Sequence, residues 1–384
     1  MIYLDNSATT KVLPKSAEIA SRYYFDSYFN PAASYKGAVQ VETEIEKTRK
    51  TISDIIGCNH KSIIFTSGGT ESNNASLFGC LDYIKKNGNH IITSKIEHPS
   101  VYNVFKKAED SIGVHVDYVS VNPDGTIDLN EFQNLLTDQT SFISIMHINN
   151  ELGSINDLQK IRSIIDKISP NAVFHSDGVQ AFCKTTFDAI KHCDMYSVSG
   201  HKLHAVKGIG FLYSNPSTPF KGGQLGGGQE NNLRSGTLNV PGIMSLGYSI
   251  KEYSDHQIEW NRTMSFLKDR LYRNLTDGLV DVLVNGPDPD KSAPHILNLS
   301  FIGVRGEVLL NALSEKEIYV STGSACSERK KGQNRILTSI GVTGLRQESA
   351  IRFSLSHFNT EAEIDEVSQV IIETVNFLRK YRRR

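Results

Sequence analysis

The sequence predicts an α/β protein: a large domain on a mainly parallel sheet, followed by a smaller α+β domain. Three observations lead there. Short apolar runs alternate with helix-period stretches over the first two-thirds of the chain, the pattern of βαβ units. Polar or glycine-rich residues follow each run, and ligands of parallel sheets collect at those carboxyl ends. After about residue 255 the character changes to a helix, separated strands and a terminal helix.

Taken in order, Val41, Ile45, Thr48, Ile52 and Ile55 recur at helical spacing and Gly57 follows as a stop. Ile63-Ile64-Phe65 reads as a strand, with a polar helix start at Thr70-Glu71-Ser72. Further strands are read at His90 to Ile92, Phe142 to Ile148, Ala172 to His175 and Met195 to Val198. Gly222 to Gly236 holds six glycines and reads as a long loop, a kind more often functional than idle. A helix over Gln257 to Asn274, strands around Val282 and over Ile296 to Phe301, and a helix near Val308 come next. A polar loop at Thr322 to Asn334, a strand at Ile351 to Phe353 and a final helix close the chain. The basic tail from Arg379 to Arg384 complements a helix C-terminus. The domains expected are residues 14–255, and residues 1–13 together with 256–384.

Composition narrows the function. The chain has 384 residues, enough for two domains, with 39 % hydrophobic and 22 % charged residues. A net charge of −1 gives no overall electrostatic footprint for nucleic acid. No apolar run approaches the ~18 residues of a membrane helix. The start, MIYLDNSATT, lacks the pattern of a secretion signal. Five cysteines without a CxxC pair argue against a disulfide framework or zinc ribbon. A cytoplasmic enzyme without a metal is the expectation.

The strand ends hold the chemistry. No Gly-Lys dipeptide and no G-x-G-x-x-G occurs, which disfavours common nucleotide enzymes. Thr66-Ser67-Gly68-Gly69-Thr70-Glu71-Ser72 reads either as a phosphate cup or as a capped glycine turn. Asp177 closes the stretch Phe174-His175-Ser176 after the strand read at Ala172 to His175, as a ligand-edge carboxylate or as an N-cap. Lys202, in Ser197-Val198-Ser199-Gly200-His201-Lys202, is a chemical lysine or a loop lysine, as Lys207 is read. Together, a phosphate cup, a carboxylate and a lysine on one sheet are what pyridoxal 5'-phosphate needs. The lysine forms the Schiff base and the carboxylate holds the ring nitrogen protonated. His98, in Glu97-His98-Pro99, offers a flat stacking partner. Cys326 lies among small residues in Ser321-Thr322-Gly323-Ser324-Ala325-Cys326-Ser327, beside Arg329 and Lys330, which favour a thiolate. Cys58, Cys80, Cys183 and Cys193 sit in apolar patterns and read as small hydrophobes.

These residues resemble, nearly end to end, the cysteine desulfurases of the NifS/IscS group, fold-type I pyridoxal-phosphate enzymes of the class V aminotransferase family. The resemblance runs through Tyr3-Leu4-Asp5-Asn6-Ser7-Ala8-Thr9-Thr10, Ser67-Gly68-Gly69-Thr70-Glu71-Ser72-Asn73-Asn74, Asn149-Asn150-Glu151-Leu152-Gly153 and Asp177-Gly178-Val179-Gln180. It continues in Ser199-Gly200-His201-Lys202, Gly226-Gly227-Gly228-Gln229-Glu230, Arg234-Ser235-Gly236-Thr237 and Gly323-Ser324-Ala325-Cys326. It implies a seven-stranded, mainly parallel sheet. It implies that Lys202 carries the cofactor, Asp177 meets the ring nitrogen, Gln180 the ring hydroxyl, and that His98 stacks and moves protons. Gly69, Thr70, Ser199, Gly200 and His201 would surround the phosphate, which Thr237 of a neighbouring subunit would also reach, implying a homodimer. Asn150 and Arg352 would bind the carboxylate of L-cysteine, and Cys326 would take the sulfur as a persulfide. A sulfur-acceptor protein, either an iron–sulfur scaffold or a thiolation enzyme, would receive it. Ala205-Val206, Tyr35 and Asn232 depart from the family pattern and remove no named role. Selenocysteine lyase, transaminase and a non-catalytic scaffold are the competing readings.

Overall fold

A computed structural model describes residues 1–323 and 334–381 of the chain. Seven strands form the main sheet: β1 (Ile63–Thr66), β2 (His90–Ser94), β3 (His115–Val119), β4 (Thr140–Ser144), β5 (Val173–Asp177), β6 (Met195–Ser199) and β7 (Gly210–Ser214). Their order is β1-β7-β6-β5-β4-β2-β3. β7 runs antiparallel to β1 and β6, and every other pairing is parallel.

Residues alternate between two faces, as strand geometry requires. Phe65, Ile92, Ile143, Phe174, Tyr196 and Phe211 join one buried core, while Ile64, Ile91, Phe142, Val173, Met195 and Leu212 join another. The first core packs on helix α1 (Lys36–Ile56), whose Val41, Ile45 and Ile52 are buried and whose C-cap Gly57 takes φ +75°. Helix α2 (Gly69–Phe78) follows β1, and helix α3 (Pro99–Ile112) follows β2 and packs on the second core.

Helix α4 runs unbroken from Val240 to Gly278. It is therefore longer at both ends than the expected 257–274. Its Val240, Ile243, Leu246, Ile250 and Tyr253 belong to the first core. Its Leu267, Leu271 and Leu275 belong to a third core with Ile2 and Leu4. The same core takes residues of β8 (Val282–Val284), β9 (Ile296–Phe301), α5 (Gly306–Ser314), β10 (Ala350–Ser354) and α6 (Glu361–Lys380). The apolar segments join because β9 pairs antiparallel with both β8 and β10.

Three strands differ from expectation, one of them β7, which was not among the runs read as strands. The run Phe142 to Ile148 leaves the ladder after Ser144, and its continuation stays apolar because Ile145, Met146 and Ile148 are buried beyond the strand's carboxyl end. β3 sits at the sheet edge with a half-polar face (His115, Asp117), which hides it from a search for apolar runs.

Candidate active site

The carboxyl ends of the parallel strands open into a cavity of about 600 Å³. Helix α2 delivers its N-terminus to it. Gly68 caps that helix at φ +143°, a conformation that L side chains rarely adopt. A Cβ on Gly69 would lie 2.5 Å from Val179 Cγ2, so only glycine lets the turn sit against the β5 loop. The amides of the first turn have no intrahelical partners and carry the positive end of the helix dipole. Ser67, Gly69, Thr70, Ser199 and His201 line this end of the cavity.

Asp177 closes β5. Its Oδ2 accepts from Asn73 Nδ2 at 2.8 Å, and its Oδ1 from the Val179 amide at 3.0 Å. It thus makes a local turn bond, as an N-cap would, and still lines the cavity. Asn73 also reaches Ser100 Oγ at 2.8 Å. Ser100 Oγ stands 2.7 Å from His98 Nδ1, and the Ser100 amide donates to the same nitrogen at 3.1 Å. His98 Nδ1 is therefore an acceptor, and the neutral ring carries its proton on Nε2. Burial pushes the His98 imidazole below its ordinary value; Asp177 opposes this and Lys202 and Arg335 add to it.

Lys202 ends a 3-10 turn that directly follows β6. Its Nζ donates to the carbonyls of Ser7 and Ala8, each at 2.6 Å. Burial first, then Arg352 and Lys184, bring its ammonium down to about 7, against the pull of Asp5 and Asp177. The His201 imidazole is pushed down to about 3, by burial and then by Lys202. Across the cavity, Arg352 of β10 donates to Asp5 Oδ1 at 2.6 Å and to the Asn150 carbonyl at 3.1 Å. Four buried polar atoms of lining residues, Ser7 Oγ, Asn73 Oδ1, Asn150 Oδ1 and Arg352 Nε, have no partner among the described residues.

The cavity thus gathers Gly69, Thr70, His98, Asn150, Asp177, Gln180, Ser199, His201, Lys202 and Arg352 from the expected set. Gln180 is held by its own bonds: Nε2 donates to the Ser7 carbonyl at 3.0 Å, and Oε1 meets His295 Nε2 at 3.2 Å. Gly200 stands behind the wall, against Ile209 and Ala205. Thr237 is exposed and does not line the cavity. Cys326 lies outside the described residues, as do Arg329 and Lys330. Of the other cysteines, Cys80, Cys183 and Cys193 are buried and Cys58 is half-buried. Burial pushes the Cys58 thiol up to about 11 and the Cys80 thiol up to about 12. Asn73, Ser100 and the Ser7 and Ala8 carbonyls had no role in the sequence reading. Only Asn73 carried a signal, four residues after Gly69 and so on one face of α2.

The profile of the aminotransferase class-V family matches residues 2–367. This chain belongs to that family. A cysteine desulfurase from Trichormus azollae is 37 % identical over 380 residues, spanning 99 % of this chain and 94 % of its own. Cysteine desulfurase IscS from Photorhabdus laumondii is 38 % identical over 385 residues, with coverage of 99 % and 94 %. Among solved structures, a NifS-like protein of 33 % identity superposes with a TM-score of 0.92, covering 98 % of this chain and 99 % of that one. Membership in this family accounts for the mainly parallel seven-stranded sheet.

Proposed function

We propose that the chain is a pyridoxal-phosphate-dependent cysteine desulfurase. It converts L-cysteine to L-alanine and leaves the sulfur on Cys326 as a persulfide for transfer to an acceptor protein. The observation that carries this reading is the placement of Lys202 Nζ, buried at a strand end, in one cavity with Asp177, His98 and the N-terminus of α2.

The residues fit the cofactor. The first-turn amides at Gly69 and Thr70, with Ser199 and His201, suit a phosphate. Gly200 keeps the backbone close behind that wall. The Asp177 carboxylate, braced by Asn73, suits a protonated ring nitrogen, and Gln180 suits the ring hydroxyl. When bound, the cofactor supplies an electron sink for bonds broken at an amino-acid Cα. Lys202 would hold it, and Nζ is placed to hold or return a proton. The flat His98 ring stacks, and its Nε2–H serves as a proton donor. Arg352 Nε, a buried donor without a partner among the described residues, and the side-chain amide of Asn150 mark where the α-carboxylate of L-cysteine would seat. Asp5 holds the Arg352 fork in place.

The sulfur step balances without an outside oxidant. The Cys326 thiolate attacks the substrate sulfur, the substrate C–S bond breaks, and the β-carbon gains a proton as alanine leaves. The sulfur stays as Cys326–S–SH. An iron–sulfur scaffold or a thiolation enzyme is the acceptor class. We read the protein as a cytoplasmic homodimer of two-domain subunits, residues 14–255 and residues 1–13 with 256–384. Exposed Tyr24, Phe25, Tyr28 and Tyr35, together with the exposed Thr237, support the dimer. No helix of the described residues is long and apolar enough to cross a membrane.

The test is the absorbance of the purified protein before and after L-cysteine, with alanine quantified. A visible cofactor band that changes on addition, with alanine formed, is expected. A band that responds to selenocysteine only, or that yields no alanine from either, would overturn the reading.

A further inference from the structure

Far from the cavity, at the amino-terminal ends of the strands, three metal-ligating side chains converge. His90 opens β2 and His115 opens β3, and the parallel register places them side by side. Asp117, two residues beyond His115, shares its face. One ligand atom from each of the three lies within 4.8 Å of the others, the one such group among the described residues. His90 Nε2 is 3.0 Å from Asp117 Oδ2, and the two imidazole centroids are 4.9 Å apart.

The backbone beneath is fixed independently of these side chains. The His115 amide donates to the Asn89 carbonyl at 2.9 Å, and Asn89 Nδ2 donates to the Gly113 carbonyl at 2.7 Å. A Cβ at Gly88 would lie 2.1 Å from the Gln139 carbonyl oxygen, so the turn entering β2 is packed tight.

Thr140 gives His90 two ways to be satisfied. Its Oγ1 accepts from the Thr137 amide at 3.0 Å and stands 2.9 Å from His90 Nδ1. With the hydroxyl hydrogen on Nδ1, the ring keeps its proton on Nε2 and donates to Asp117. With the hydroxyl rotated, Nδ1–H donates to Thr140 instead, and Nε2 turns a lone pair toward the same point as the carboxylate. The ring stays neutral in both states. The second leaves two acceptors facing each other beside a second imidazole, an arrangement that a cation completes. The bond from Nδ1 to Thr140 is the kind of outer contact that orients a ligating histidine.

We propose that His90, His115 and Asp117 form a binding site for a divalent transition-metal ion of the zinc class, with water completing its coordination. Two imidazoles and one carboxylate suit zinc, cobalt or nickel, whereas magnesium and calcium want oxygen ligands. β3 is an edge strand paired only to β2, so the ion would clip the edge of the sheet. Because the cluster lies at the opposite strand ends from the cavity, this proposal does not depend on the catalytic reading.

The test uses the untagged full chain, stripped with a chelator and titrated with zinc alone and with cobalt alone. Wild type, His115→Ala and Asp117→Asn are compared. His115 is exposed, so its alanine variant should keep the metal-free melting temperature. Expected are one zinc bound at least about tenfold more tightly by wild type than by either variant, and a zinc-dependent rise in melting temperature seen in wild type alone. Cobalt in wild type should give a ligand-field spectrum without a thiolate charge-transfer band. Equal zinc affinity in all three proteins, no zinc binding by wild type, or a cobalt–thiolate band as its only signal would each overturn the proposal.

Discussion

At Lys202, burial and neighbouring cations disfavour the ammonium, while the Ser7 and Ala8 carbonyls hold Nζ in place. A lysine ordinarily loses its proton near 10.4; here the value is about 7. Two consequences follow from the sign. Cofactor-free protein should capture pyridoxal phosphate at a rate that rises with pH through about 7 and then levels. Stopped-flow absorbance checks this; a rate that kept climbing toward pH 10 would contradict it. This lysine binds fewer protons folded than unfolded, so its contribution to stability should rise with pH between about 7 and the ordinary lysine value. Lys202→Ala should remove the lysine-bound cofactor band and reduce alanine formation by at least roughly a thousandfold, while exposed Lys207→Ala keeps the band. Lys202 and Asp177 were legible in the sequence only in combination: alone they read as readily as a loop lysine and an N-cap, but with the glycine turn they match the needs of one cofactor. The Ser7 and Ala8 carbonyls were not, since backbone acceptors leave no trace in residue type.

Helix α2 and the glycine-rich loop set the geometry at the scale of elements. Gly69→Ala would push a methyl group into Val179. It should cost about 1–3 kcal/mol in denaturant unfolding and weaken cofactor retention on dialysis, whereas a fully retained cofactor would contradict the role given to this turn. The loop is pinned from beneath. Arg49 of α1 donates to Glu230 through two nitrogens, at 2.8 and 2.7 Å, and Glu230 also accepts from the Phe65 amide at 2.9 Å. Glu230, Asn231 and Asn232 all take positive φ, so Asn232 serves in a conformation that a glycine would also accept. Arg49→Met leaves a buried carboxylate without its cation and should cost about 3–5 kcal/mol by urea unfolding, with Arg49→Met/Glu230→Gln recovering much of the loss. The loop was readable from its glycines. The ion pair was not, because its partners are far apart in sequence and each is ordinary alone.

For the whole molecule, the central fact is that one continuous helix serves two cores. The first half of α4 packs under the main sheet and its second half under β9 and β10. The sequence reading saw the helix only beyond residue 257, because Gly242 and Gly247 interrupt the apolar pattern of its first turns. The first residues of the chain join the distant core through Ile2 and Leu4, and residues 5–8 then bring Asp5 to Arg352 and two carbonyls to Lys202. The sequence already grouped residues 1–13 with 256–384, but the particular contacts of residues 5–8 have no local signature. Cys326, which lies outside the described residues, carries the chemical claim that joins these parts. The most direct measurement is mass spectrometry of the peptide containing Cys326 after exposure of the protein to L-cysteine, with alanine counted in parallel. The account predicts a gain of one sulfur on that peptide, reversed by a thiol reductant, little on the other four cysteines, and no sulfur gain and negligible alanine in Cys326→Ser. Near-normal alanine from Cys326→Ser, or sulfur spread over the buried cysteines, would contradict it.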